Sequence, residues 1–291
     1  MTRFAKILLL LSCVPAAAFA QTQPLETLHY RPSGKLIILD LTVNGKTHAW
    51  FCFDSGAYHS IIDPRLAREL GLKTAGEGTL GGTGKGQVSY RRVGPITVGL
   101  GRLSIPVSDA WSTDMSGLPI AKDVRGIIGS DLLDRYVISI DPDTRVVSIF
   151  DPRTFVAPQQ ATALPIVVKN DRYFVRATLD VKPGVRTDNL YRIDTGSEDS
   201  FDDPSAALAL HTHKTSLGNG FGANFEGVSG EFEAAHLGPY SWRDVWGPGG
   251  QSPAIGMEIL RRFVVTFDVP HRYMYLNPNS ALNDAIPAPS N

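Results

Sequence analysis

Asp54-Ser-Gly-Ala-Tyr-His-Ser60-Ile-Ile-Asp63-Pro64 and Asp194-Thr-Gly-Ser-Glu-Asp-Ser200-Phe-Asp-Asp203-Pro204 align without a gap, 140 residues apart. Each follows an apolar stretch of strand type, Ala49-Trp-Phe-Cys-Phe53 in the first copy and Leu190-Tyr-Arg-Ile193 in the second. Each runs into a helix start, with Asp63 or Asp203 as N-cap and Pro64 or Pro204 at the first helical position. The helices expected are 65–70, stopped by Gly71, and 205–210.

A second block is also written twice. Gly126-Ile-Ile-Gly-Ser-Asp-Leu-Leu-Asp-Arg-Tyr-Val137 matches Pro253-Ala-Ile-Gly-Met-Glu-Ile-Leu-Arg-Arg-Phe-Val264 at an offset of 127, and the match continues through Asp141/Asp268 and Arg145/Arg272. Between the blocks each half carries a glycine-rich stretch, 76–86 and 218–230, followed by alternating strand patterns. Leu36 to Val43, ending at Asn44-Gly45, reads as a strand entering a tight turn. Period-2 alternation and frequent turn signals predict a mostly β chain with short helices. The predicted organisation is two related β lobes at 28–152 and 163–279, joined by a Pro-rich linker at 153–162. Residues 280–291, poor in core residues, are expected to be a disordered tail.

Composition narrows the function. The 28 Lys and Arg against 29 Asp and Glu leave a formal charge of −1, which gives no phosphate-binding face and excludes nucleic acid as a partner. No apolar run reaches the roughly 18 residues of a membrane span. Residues 1–20 read as a signal peptide: Arg3 and Lys6, an apolar run from Ile7 to Val14, then Ala18-Phe19-Ala20 as the cleavage site. Export to the periplasm or medium is therefore expected. A lipid anchor through Cys13 is the weaker reading, because the apolar stretch before Leu10-Leu11-Ser12-Cys13 is short. Cleavage leaves Cys52 as the one thiol, so no intrachain disulfide can form.

The chemistry follows from the doubling. A lone Asp in a tight turn is most often a cap or a solvated charge. Two in equivalent places of two related lobes would be brought face to face by a pseudo-twofold axis. Carboxylates about 3 Å apart cannot both ionise, so one keeps its proton while the other is a base. Such a pair can activate a water and protonate a developing oxyanion, which is what metal-free peptide hydrolysis requires.

These residues resemble the pepsin and retropepsin group of aspartic proteases, in the two-lobed, tandem retropepsin-like form of exported bacterial chains. The resemblance rests on Asp54-Ser55-Gly56-Ala57, Asp194-Thr195-Gly196-Ser197, Ile127-Ile128-Gly129 and Ala254-Ile255-Gly256, and spans nearly the whole chain after residue 20. It implies two pseudo-twofold-related β-barrel lobes and an aspartic endopeptidase whose catalytic residues are Asp54 and Asp194. It also implies that Ser55 and Thr195 interlock across the loops, that Gly56 and Gly196 shape the turns, and that Gly129 and Gly256 pack behind them. The glycine-rich stretches, with Gly81, Gly82, Gly84, Gly220 and Gly222, stand where the family carries substrate-covering flaps. In pepsins the serine at the place of Ser197 hydrogen-bonds the catalytic carboxylate, so the two aspartates are expected to be inequivalent.

The expected partner is a peptide or protein substrate, bound by a monomer that is an internal pseudo-dimer, with no cofactor and no metal. His211-Thr-His213 lacks the further spaced ligands of a zinc site, and the acidic run Glu198, Asp199, Asp202 and Asp203 lacks metal-ligand spacing. Two other functions fit the bare aspartate pair. One is a peptide-binding module without turnover. The other is a glycosidase, whose carboxyls stand about 5 Å or more apart.

Overall fold

The computed structural model describes residues 22–288. The expected signal peptide, Cys13 and residues 289–291 lie outside the described residues. The strand signals become a mostly β architecture, with two lobes joined by a third, shared sheet.

In the first lobe Leu36–Val43 pairs antiparallel with Thr47–Phe53 around a turn that holds Asn44 at φ 54° and Gly45 at φ 65°. Both residue types tolerate this left-handed region, which lets a two-residue turn match the strand twist. Val124–Ile128 then returns parallel to Thr47–Phe53, with Ile127 beside Cys52 and Ile128 beside Phe53. The second lobe repeats the arrangement: Arg172–Lys182 pairs with Val185–Ile193, and Ala254–Ile255 runs parallel beside Arg192 and Ile193. Each strand that leads to an aspartate is thus held between a hairpin partner and a returning parallel strand.

The third sheet belongs to both lobes. Its order is Glu26–His29, Val146–Phe150, Val137–Asp141, Phe263–Asp268, Tyr273–Pro278, Thr162–Pro165. At its centre Ile138 faces Phe267, Ser139 faces Thr266 and Ile140 faces Val265. By the duplication offset of 127, Ser139 and Thr266 are equivalents, and the flanking pairs are mirror versions of one another. The pseudo-twofold axis therefore passes between Ser139 and Thr266. The duplicated Arg145 and Arg272 both take left-handed conformations, φ 57° and 66°, in the turns that close this sheet on either side. The hydrophobic core runs through both lobes without a break, from Ile37 and Phe51 to Phe263 and Leu276.

Three local expectations change. The second helix is a 3-10 turn over Pro204–Leu208, shorter than 205–210; Asp203 still caps it, donated to by the Ser205 amide at 2.8 Å. Thr162, at the end of the expected linker, opens a strand, Thr162–Pro165, because the outer edge of the shared sheet takes it up. Residues 280–288 have neither helix nor strand, and several of them contact the fold. The fully buried Arg262 donates to the carbonyls of Ala281, Leu282 and Asp284, Trp242 Nε1 donates to Leu282, and Leu282 and Ile286 pack on the core. Buried polar groups had to find partners there, and this backbone supplies them.

Candidate active site

Each aspartate sits where its strand ends and the parallel neighbour begins to bend away. The Asp54 amide donates to Ile128 at 2.9 Å and the Asp194 amide to Ile255 at 3.0 Å. Each turn folds back on its own carboxylate: the Gly56 amide reaches Asp54 Oδ1 at 2.8 Å, and the Gly196 amide reaches Asp194 Oδ1 at 3.1 Å.

The two turns lock into one another. The Ser55 amide donates to Thr195 Oγ1 at 2.9 Å, and the Thr195 amide donates to Ser55 Oγ at 3.0 Å. The hydroxyls pass their own protons on, Ser55 to the Ile193 carbonyl and Thr195 to the Phe53 carbonyl, both at 2.9 Å. Each of these four buried polar groups thereby has a partner. Each carboxyl lies against the opposite turn: a Cβ on Gly56 would stand 2.9 Å from Asp194 Oδ1, and one on Gly196 would stand 2.4 Å from Asp54 Cγ.

Behind the turns the duplicated glycines allow close crossing. A Cβ on Gly129 would lie 2.3 Å from the Asp54 carbonyl and 2.4 Å from that of Ala57, and one on Gly256 would lie 2.4 Å from that of Asp199. The short helices that follow, Ser130–Leu133 and Met257–Leu260, tie their first amides to the turns, Ser130 to Ala57 and Met257 to Ser197.

The glycine-rich stretches are hairpin tips. Thr74–Leu80 pairs with Val88–Val93, and Thr212–Leu217 pairs with the start of Phe225–Leu237. The tips meet: the Lys85 and Ala223 amides exchange hydrogen bonds with each other's carbonyls at 2.8 Å, and the Gly84 amide donates to Phe221 at 3.1 Å. A Cβ on Gly84 would stand 2.6 Å from the Gly222 carbonyl carbon, so the contact needs glycine. Gly82 and Gly220 lie at the same junction, and Gly81 beside it. Phe221, carried by the second tip, packs on a first-lobe apolar cluster that includes Cys52, Ile38, Trp111, Ala57 and Tyr58. Tyr90 stacks on Trp111 at 3.8 Å in the same wall.

One charge here is hidden in the sequence, and another reads there only as part of an acidic run. Arg192 lies in what reads as an apolar stretch, two residues before Asp194. On a strand that spacing puts both on one face, and Arg192 Nη2 and Nε reach Asp194 Oδ2 at 2.6 and 3.2 Å. Asp202 accepts from the Gly250 amide at 2.6 Å, and burial first, then the charge of Asp199, pushes it up to about 7. Ser197 does not bond the Asp194 carboxylate: its hydroxyl donates to Asp199 Oδ2 at 3.2 Å, and Asp194 Oδ2 is taken by Arg192. Asp54 is raised to about 7, by burial first and then by the neighbouring charge of Asp194.

Paired aspartate turns on a pseudo-twofold axis, in two β lobes sharing a central sheet, define the aspartic proteinase fold. Residues 39–132 match the family model for aspartyl protease. The crystal structure of the aspartic proteinase from Irpex lacteus superposes with a TM-score of 0.54, covering 90% of this chain and 99% of that chain at 12% sequence identity. No curated protein matches the chain. The expected resemblance to the aspartic proteases thus holds in family model and in fold. No helix of the described residues is long and apolar enough to cross a membrane.

Proposed function

We propose that this chain is an exported aspartic endopeptidase acting on peptide or protein substrates through Asp54 and Asp194. The observation that carries the reading is the pair of aspartate turns locked together by the reciprocal Ser55–Thr195 hydrogen bonds. One carboxylate removes a proton from water as the water oxygen attacks the peptide carbonyl carbon, and the other carboxylic acid gives its proton to the carbonyl oxygen. Collapse of the resulting diol breaks the C–N bond, with a proton delivered to the leaving amine. The two bonded tips, Lys85 with Ala223, close the cleft and would have to part to admit a chain.

The second reading is a peptide-binding module without turnover. It is favoured by one contact, the Arg192 guanidinium on Asp194 Oδ2, which occupies a carboxylate oxygen that hydrolysis uses. A diverse peptide mixture incubated from about pH 3 to 7, with and without a statine-type inhibitor, separates the two. Inhibitable cleavage, lost by about 10²–10⁴-fold in Asp54→Asn and Asp194→Asn with folding intact, supports the protease. Tight peptide binding without products supports the module, and either variant keeping the wild-type rate removes the dyad assignment.

A further inference from the structure

The two strands that deliver the aspartates occupy equivalent places in their lobes, and one pair of positions changes their chemistry most. Cys52 stands two residues before Asp54, with Ile127 on the parallel neighbour; Arg192 stands two residues before Asp194, with Ala254 on the neighbour. A small side chain beside a large one in the first lobe has become a large one beside a small one in the second.

The donor sets of the two aspartates are correspondingly unequal. Asp194 accepts on both oxygens: from the Gly196 amide on Oδ1 and from Nε and Nη2 of Arg192 on Oδ2. Among the described residues Asp54 accepts from the Gly56 amide on Oδ1 alone. Hydrogen bonds from a cation to a carboxylate favour its charged form, and a carboxyl with few donors is the cheaper place for a proton. Arg192 itself is nearly buried, its side chain 17% exposed against 9% for Asp194, so solvent does little to screen the pair.

Resting on the protease reading of the same site, we propose that Arg192 is a positioning residue that fixes the dyad's negative charge on Asp194 and its proton on Asp54. Asp194 is then the base that takes the proton from water. Asp54 is the acid that protonates the carbonyl oxygen, and the exchange reverses as the amine leaves. Asp194, just past the end of its strand, bonds the guanidinium, and the other charges that act on it are Asp54 on the opposite turn and Asp202 on the short strand Phe201–Asp202. Asp199 lies beside Asp194 and Asp202. The flanking strands present Phe174 and Ala254, which do not titrate. The raised proton affinity of Asp54 agrees with this assignment, since the charge of Asp194 is among its causes.

The test compares wild type with Arg192→Met and Arg192→Lys by two readouts. The first is a ¹³C NMR titration of the aspartate side-chain carboxyls, assigned with Asp54→Asn and Asp194→Asn, which needs no turnover. The second is the pH profile of kcat/KM. In wild type the dyad should lose its two protons in well separated steps. In Arg192→Met the lower titration and the acid limb should move up by about 1–3 pH units, the effect of removing an adjacent opposite charge, and Arg192→Lys should restore most of it. Titrations that coincide in wild type and Arg192→Met overturn the assignment even if peptides are cleaved. The expected shift in a protein that cleaves nothing supports it and removes the protease reading instead. Should Arg192→Met fail to fold, the charge-retaining Arg192→Lys decides: wild-type-like separation supports the role, and collapsed separation in a folded Arg192→Lys overturns it.

Discussion

Thr266 donates a 2.9 Å hydrogen bond to Ser139, and the two residues hold the same place in the two copies of the duplicated sequence. Ser55 and Thr195 stand in the same relation at the dyad, joined by reciprocal bonds of 2.9 and 3.0 Å. The two pairs mark the pseudo-twofold axis, one in the shared sheet and one at the carboxyls. Whatever fixes the lobes at the sheet therefore also fixes the distance between the aspartates.

The grip between Ser55 and Thr195 should act as a unit. Ser55→Ala and Thr195→Val each strand a buried partner and should cost about 1–3 kcal/mol in urea unfolding. The double variant should cost less than the sum, with a coupling of about 0.5–3 kcal/mol. Strict additivity would mean the hydroxyls are independent.

Crossing geometry makes Gly129 intolerant of even one methyl. Gly129→Ala would put Cβ 2.3 Å from a backbone oxygen that cannot step aside, and should cost about 3 kcal/mol or more. Gly117→Ala, with nothing within 4 Å, is the control and should be near neutral. Equal thermal midpoints for the two variants would contradict the close packing.

Stability should fall as pH rises from acid to neutral. Asp54 and Asp202 are both raised from an ordinary 3.8 to about 7, chiefly by burial. Between those values the folded chain holds protons that the unfolded chain has released. Each group then contributes a decline of up to about 1.4 kcal/mol per pH unit, present through that window and absent below it. Asp202→Asn should flatten the slope and raise stability near pH 7. An unchanged slope in Asp202→Asn would show that Asp202 does not carry the proton.

Hydrogen exchange reports on the hairpin tips. The Lys85 and Ala223 amides bond across the cleft in wild type, and Gly84→Ala forces the tips apart. Both amides should then exchange at least about tenfold faster, corresponding to about 1.4 kcal/mol, while those of Thr47–Phe53 stay protected. Unchanged exchange at Lys85 would show that the tips do not depend on glycine for their contact.

Much of this arrangement is legible in the sequence because its signals are local. The aspartate turns, the glycines at 129 and 256 and the Asn44-Gly45 turn each declare themselves within a dozen residues. The shared sheet does not, because Ser139 meets Thr266 across 127 residues and alternation alone carries no information about a distant partner. Arg192 was readable in principle. A charge at the second position before an aspartate, in an otherwise apolar strand, shares that aspartate's face. Grouping Leu190-Tyr-Arg-Ile193 as one apolar stretch averages that signal away. The fate of residues 280–288 depends on the buried Arg262, whose need for acceptors appears only once the fold has enclosed it.

The Cys52/Arg192 difference is open only to a chain that carries both halves on one polypeptide. In a dimer of identical subunits, whatever stands two residues before one aspartate also stands before the other. An arginine there would arrive twice, bringing two positive charges to a site that, on the proposed mechanism, holds one negative charge and one proton. Covalent joining releases the two positions from that identity, so one lobe can keep a thiol packed among apolar side chains while the other supplies a cation. The duplication thus preserved the geometry of a symmetric pair while letting the electrostatics of its members diverge.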